Sequence, residues 1–198
     1  MRHELRRITA GAAAFTLLAA ASVAGAAWSL VPGQSHVTYT STKVLPNLAA
    51  SKAENNHFKT LSGSVSDTGD AAVHIDLGSV ATNVDIRDER MRNMVFETGT
   101  FPDAAITAQV PVDMIAVAGI HQIDLSFNLS IKGMSKTLSV PAMVVSTGDN
   151  LVVSSLQPVL VSAADFGLDG GITELTKVAG LMYIPATVPV TFNLVFQK

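Results

Sequence analysis

The alternation of apolar and polar residues in "HQIDLSFNLSIKG", residues 121–133, constrains the fold more than any other feature of this chain. Every second position is apolar, at Ile123, Leu125, Phe127, Leu129 and Ile131. Because successive side chains of a β-strand point to opposite faces of the sheet, this period predicts a strand with one buried and one solvated face.

The same period predicts further strands along most of the chain after residue 28. Their apolar sets are Val37 and Tyr39; Leu61 and Val65; Val73, Ile75 and Leu77; Ile106, Ala108, Val110 and Val112; Leu138, Val140, Ala142 and Val144; Leu151 and Val153; Val159 and Val161; and Val188, Val190, Phe192, Leu194 and Phe196. Turn sequences such as "DTGD" and "STGDN" separate the strands. Helix is scarce, with "ERMRNMVFE" giving an amphipathic turn or two and "GGITELTKVAGLM" aligning Ile172, Leu175, Ala179 and Met182.

Antiparallel strands with one apolar face close into a barrel or stack as a sandwich. An eight-stranded barrel has an interior that side chains just fill or that holds one small ligand. The period alone does not decide between these outcomes.

The N-terminus, residues 1–26, is typical of a secretory signal peptide. "MRHELRR" is a basic region, and "ITAGAAAFTLLAAASVAGAA" is an apolar run that ends in small residues. Because the run is short and alanine-rich, we favour a cleaved signal over a transmembrane anchor, with cleavage after Ala26 or Ala27. The sequence thus predicts one exported domain, residues 28–198, without stable insertion into a membrane.

Composition excludes several classes of function. The chain has no cysteine, so thiol catalysis, disulfides and cysteine-bound metals are excluded. Residues 1–26 contain three of the thirteen basic and one of the sixteen acidic residues, so the remainder is mildly acidic and unlike a nucleic-acid-binding domain. We find no catalytic motif, and the histidines lack the spacing of metal ligands, so we expect no enzyme activity, metal or cofactor.

Three longer stretches resemble one protein family across the predicted mature chain. They are "WSLVPGQSHVTYTSTK", "HFKTLSGSVSDTGDAAVHIDLGSVATNVDIRDERMRNMVFETGTFPDA" and "FNLSIKGMSKTLSV". Together they are similar to the YceI-like family. The chain departs from the common family pattern at Gln34, where histidine is frequent, and at Ala163 and Ala164, where an arginine is frequent before the "DFG"-type segment.

The resemblance implies a periplasmic, lipocalin-like, antiparallel eight-stranded barrel that holds a long-chain amphiphile, such as a polyisoprenoid, an isoprenoid quinone or a fatty amide. Residues expected to line the apolar interior and its lid are Val37, Tyr39, Phe58, Leu61, Ile75, Leu77, Met91, Met94, Phe96, Phe101, Ile106, Leu125, Phe127, Leu129, Val190 and Phe192. Candidates for contact with a polar head group are Lys43, Thr82 and Arg87. The oligomeric state stays open, with a homodimer as one option.

Outside the N-terminal region, the only arginines are Arg87, Arg90 and Arg92, within the stretch 87–101 that we name the lid segment. We interpret them as structural: an Arg–Asp pair, with Asp88 and Glu89 at hand, would tie the lid segment to the barrel mouth. Binding of a phosphate or another anionic head group is the alternative. Lys43 has inward parity and would need a partner such as Glu54, or a place at the rim with its ammonium in water.

Three functions remain in competition. The first is a lipid carrier or sequestering protein with a hollow barrel, and the second is an envelope interaction protein with a filled core and no ligand. A hydrolase comes third, because it would need an acid–base pair inside the pocket. An apolar cavity of several hundred Å³ would favour the first over the second.

Overall fold

The computed structural model describes residues 26–46 and 50–198, and the predicted signal peptide therefore lies almost entirely outside the described residues. The strands are β1 Ala26–Leu30, β2 His36–Val44, β3 Ser51–Phe58, β4 Leu61–Ser66, β5 Asp70–Asp76, β6 Val80–Ala81, β7 Asp103–Gln109, β8 Gly119–Ile131, β9 Met134–Ser146, β10 Asn150–Ser155, β11 Val159–Ser162 and β12 Thr187–Gln197. The α-helices are α1 Asp85–Arg90, α2 Val112–Ala116 and α3 Asp169–Val178, and a π-helical turn, Met91–Phe96, continues α1.

The predicted antiparallel barrel is confirmed. Strands β1, β4, β5, β7, β8, β9, β10 and β12 pair in this order, and β12 pairs back with β1, which closes a ring of eight. Closure leaves no open edge in the ring, so its backbone groups are paired on both sides. The strands β2, β3, β6 and β11 join the same sheet and extend the wall.

The longest hairpin, β8–β9, shows how the sequence fixes the register. Lys132 and Gly133 form a two-residue turn, both with positive φ (50° and 75°), as a type I′ hairpin turn requires. This turn pairs Ile131 with Met134 and keeps the pairing in register to Ser146. Every second residue of β8 from Leu125 to Ile131 is consequently buried.

Two details of the predicted elements were wrong. Val112 belongs to the helix α2, which was not predicted, instead of a strand. Pro111 has no N–H to donate to the sheet, and it is the N-cap of α2. Met182 does not continue the apolar face of α3. The helix ends at Val178, Gly180 adopts a left-handed conformation (φ 62°), and Met182 is about half exposed.

Candidate functional site

The barrel encloses a cavity of about 350 Å³, which lies within the size range of ligand pockets. Its walls come from the inward faces of β2, β3, β5, β7, β8, β11 and β12, and from α1, the π-helical turn and α3. The lining is mostly apolar because the inward positions of these strands carry aliphatic and aromatic side chains. Such a surface favours an apolar occupant over water.

The cavity opens beside α1, at the place we name the mouth. Val84 and Ile86 both line the cavity, yet 43% and 52% of their surfaces are exposed to solvent. Thr42 and Lys43 at the end of β2 and Pro185 before β12 line the cavity as well and are half-buried. A long molecule can therefore enter here without unpairing a strand of the ring.

Twelve of the sixteen predicted apolar residues line this cavity. They are Val37, Tyr39, Phe58, Ile75, Leu77, Met91, Phe96, Ile106, Phe127, Leu129, Val190 and Phe192. The other four do not. Leu61 is buried in the core, Leu125 lines a second, smaller cavity, and Met94 and Phe101 are half-buried in the lid segment.

All three predicted head-group residues, Lys43, Thr82 and Arg87, line the cavity near its mouth. The hydroxyl of Thr82 is already engaged, because it donates to Asp88 Oδ1. The ammonium of Lys43 lies 3.4 Å from Glu54 Oε1, and the Lys43 side chain is about one-third exposed, as expected at a rim. Of the three, Arg87 has a buried donor, its Nε, without a hydrogen-bond partner in the part of the chain that the structure describes.

The partner predicted for Arg87 was wrong. Arg87 Nη1 donates to Glu54 Oε2 on β3, and Nη2 donates to the carbonyl of Thr82. Asp88 turns away and instead accepts hydrogen bonds from the N–H and hydroxyl of Thr82. The reason is helix geometry: adjacent residues of α1 point in different directions, so Arg87 and Asp88 do not face one another.

Glu54 is the electrostatic centre of the mouth. Its carboxylate faces Lys52 at 3.0 Å and Lys43 at 3.4 Å, in addition to Arg87. The hydrogen bond from Lys52, helped by those from Arg87 and Lys43 and opposed by burial, lowers the pKa of Glu54 to about 2. The group is therefore ionised throughout the physiological range, and it holds β2, β3 and α1 together.

Sequence reasoning missed Asn56, which is 1% exposed and lies one inward position deeper on β3 than Glu54. Its Nδ2 donates to Ser41 Oγ at 3.0 Å and to the Glu54 carbonyl at 3.1 Å, which fixes the orientation of the amide. Asn56 Oδ1 has no hydrogen-bond partner among the described residues. The inward parity of Asn56 with Glu54 and Phe58 was the available signal.

Tyr39 is the cross-strand neighbour of Asn56 and shares its inward face. Its hydroxyl is buried and has no hydrogen-bond partner among the described residues. Burial raises the pKa of Tyr39, so the phenol stays protonated and is available as a donor. Three residues that line the cavity, Tyr39, Arg87 and Asn56, thus each carry a buried polar atom without a partner among the described residues: the donors Tyr39 OH and Arg87 Nε and the acceptor Asn56 Oδ1.

Further lining residues that sequence reasoning did not select come from the mouth and from the side of the cavity under α3. They are Ser41, Thr42, Glu54, Asn56, Val84, Ile86, Arg90, Val95, Ala104, Ile131, Val159, Val161, Ala163, Leu168, Ile172, Leu175, Ala179, Leu181, Ile184, Pro185, Ala186 and Val188. Several of them belonged to recognised strands or helices, but the period of a strand does not show which part of its inward face meets empty space.

The closed antiparallel ring with an apolar internal cavity and a polar mouth defines a barrel of the lipocalin-like class. A sequence model described as the YceI-like domain matches residues 28–196, so the chain belongs to the YceI-like family. Comparison with curated protein sequences gives no significant match.

Solved structures share the fold. A polyisoprenoid binding domain from Saccharophagus degradans, implicated in plant cell wall breakdown, is 33% identical, with a TM-score of 0.80 over 87% of this chain and 99% of that chain. BcnA from Burkholderia cenocepacia is 21% identical, with a TM-score of 0.63 over 84% and 98%. The YceI protein from Campylobacter jejuni is 15% identical, with a TM-score of 0.51 over 72% and 84%, and these two likenesses concern the fold.

None of the helices in the described residues combines the length and the apolar character needed to cross a membrane. Within the same residues, no group of three or more histidine, aspartate or glutamate side chains is placed to hold a metal ion.

Proposed function

We propose that this protein binds one long-chain amphiphilic lipid in the barrel, with the apolar chain in the cavity and the polar head at the mouth. The observation that carries the proposal is the cavity of about 350 Å³, lined mostly by apolar side chains and open beside α1. Burial of the chain would supply most of the affinity, at about 25 cal/mol per Å² of apolar surface less the cost of ordering. Membership of the family and the likeness to a polyisoprenoid binding domain support the same class of ligand.

The head group is expected to meet Tyr39, Asn56 and Arg87. A buried polar atom without a partner is costly, so the two free donors and the free acceptor favour a ligand that completes them. An alcohol or a primary amide carries both an acceptor oxygen and a donor and suits all three atoms, whereas a quinone carbonyl suits the donors alone. A polyisoprenoid alcohol, a fatty amide and an isoprenoid quinone therefore all remain in the proposed class, and the quinone fits the three atoms least well.

The alternative of a filled core is less well supported, because the barrel keeps its empty space in the region where the predicted residues converge. Hydrolysis is also less well supported. Among the described lining residues, Glu54 alone carries a carboxylate. Its pKa of about 2 makes it a poor proton donor or acceptor near neutral pH. We therefore propose a binding protein that carries or sequesters its lipid in the periplasm, after removal of residues 1–26.

Native mass spectrometry of protein purified from its own compartment tests the proposal. We expect a chain-shaped lipid at a ratio of about one per barrel, identifiable after extraction, on a polypeptide that begins near Trp28. A matched pair of variants controls for adventitious lipid: Val190→Trp fills the cavity, whereas Thr191→Trp places the same side chain on the outer face of β12. Lipid that persists at full ratio in folded Val190→Trp protein would show that it does not occupy the cavity.

A further inference from the structure

A second cavity of about 50 Å³ continues the first one along the barrel. The two cavities share three wall residues, Ile106, Phe127 and Phe192. On β12, Val188 and Val190 line the first cavity, whereas Leu194 and Phe196 line the second. The residues that line only the second cavity are Val65, Ala71, Val73, Ala108, Val110, Leu125, Val153, Leu194 and Phe196, and nearly all of them are apolar strand residues.

The same order holds on the other strands that pass both cavities. Ala104 of β7 and Leu129 of β8 line the first cavity, whereas Ala108 of β7 and Leu125 of β8 line the second. On each of these strands the residues that line the first cavity lie on one side of the shared residue, and those that line the second cavity lie on the other side. The two cavities therefore lie end to end along the barrel.

Phe127 and Phe192 form the partition between them. Their ring centroids are 6.4 Å apart and the rings are nearly perpendicular, at 85°. Phe127 is on β8 and Phe192 is on β12, and β9 and β10 lie between these strands in the sheet. The rings therefore meet across the lumen, in the edge-to-face arrangement that aromatic pairs prefer.

We propose that the Phe127–Phe192 pair is the internal stop that sets the length of chain the barrel accepts, an inference that rests on the proposed function. A tail that enters at the mouth beside α1 runs down the first cavity and meets this pair. The space beyond it, about 50 Å³, is reached only when the rings move, and a closely packed interior resists that movement. Phe127 and Phe192 are thus specificity-determining residues for chain length.

A homologous series of ligands tests the stop. Straight-chain primary amides that differ by one methylene group are titrated into lipid-free protein, and the dissociation constant of each is measured. For the native protein we expect affinity to rise by about fourfold per methylene up to a break length, where the tail meets the rings, and to stop rising beyond it. In Phe127→Ala and Phe192→Ala the break should move to longer chains, because the ring that stops the tail has been removed.

Val153→Ala is the matched control, because Val153 lines only the second cavity and its truncation enlarges the space behind the rings without removing them. Its break length should equal that of the native protein. Phe127→Leu and Phe192→Leu keep most of the volume and protect the test against misfolding of the alanine variants, and they should shift the break in the same direction.

The outcomes separate the two proposals. If amides bind but the break length is the same in the native protein and in the Phe127 and Phe192 variants, the stop is refuted and lipid binding stands. A break that moves equally in Val153→Ala would likewise refute the stop. If no amide of any length binds the native protein, lipid binding of this kind is refuted and the stop falls with it.

Discussion

Replacing Tyr39 by phenylalanine should make the lipid-free protein more stable and the lipid complex weaker. The Tyr39 side chain is 8% exposed, and its hydroxyl finds no partner among the described residues. An unsatisfied buried hydroxyl costs about 1–3 kcal/mol, and water in the cavity would recover part of this cost. Removal of the hydroxyl should therefore stabilise the lipid-free protein by about 1 kcal/mol, or about 2–4 °C in melting temperature for a domain of this size.

The effect on binding has the opposite sign. If the hydroxyl of Tyr39 donates to the head group, its loss removes one hydrogen bond worth about 0.5–1.5 kcal/mol. This corresponds to a dissociation constant weakened by about two- to thirteenfold, measured by calorimetric titration with a primary amide. Such a trade between stability and affinity is a mark of residues retained for binding.

Tyr183→Phe is the natural control, because the chain has only two tyrosines and Tyr183 is 54% exposed. Loss of the Tyr183 hydroxyl should change the free energy of unfolding and the free energy of amide binding by less than about 0.5 kcal/mol each. A Tyr39→Phe protein that loses stability, or that binds the amide as tightly as the native protein, would refute the reasoning. The first result would mean that the hydroxyl is already satisfied, and the second that no head group reaches it.

Two further predictions concern the anchoring of α1 and the lid segment. Glu54→Gln should destabilise the protein by about 1–2 kcal/mol at pH 7, because it leaves Arg87 half-buried without its carboxylate. Since the pKa of Glu54 is lowered from 4.5 to about 2, its contribution is complete above pH 5 and is lost as the pH falls toward 2. Urea unfolding of both proteins should show the difference narrowing over that interval, and a difference that is independent of pH would contradict the ion-pair explanation. Gly171→Ala should destabilise by more than about 2 kcal/mol, because a Cβ there would clash with the Met94 carbonyl oxygen of the π-helical turn. A Cβ at Gly170 meets no atom within 4 Å, so Gly170→Ala should be neutral or stabilising by up to about 1 kcal/mol. Equal effects of the two substitutions in thermal unfolding would show that α3 does not pack closely against the lid segment.

Most of the barrel could be predicted because its strands alternate clearly between apolar and polar residues. The strand β3, "SKAENNHF", is the main omission, since it has no apolar alternation to detect. Its inward positions carry Glu54, Asn56 and Phe58, which line the cavity mouth and the space below it. Alternation of apolar and polar residues does not detect a strand of this kind, because its inward face carries polar side chains of the site instead of core residues.

The apolar part of the candidate site was easier to predict than the polar part. Twelve of the sixteen predicted apolar residues line the cavity, but the parity of a strand does not give depth, so Leu61 and Leu125 were included although they lie in the core and in the second cavity. The polar contacts depend on which strands become neighbours. Tyr39 and Asn56 face each other only because β2 and β3 pair in one particular register.

The arginine cluster shows why a charge-poor chain concentrates guanidinium groups at one place. Glu54 and Arg87 are thirty-three positions apart in sequence, and their pairing joins α1 to β3 across the mouth. Arg87 retains about one-fifth of its side-chain exposure, which limits the desolvation cost that a fully buried pair would incur. Lys43 and Lys52 pair with the same carboxylate as Arg87. Three cationic side chains therefore surround the single negative charge of Glu54. An anchor with surplus cations can hold α1 in place and still offer Arg87 Nε to a ligand, and the structural and head-group interpretations of Arg87 are therefore compatible.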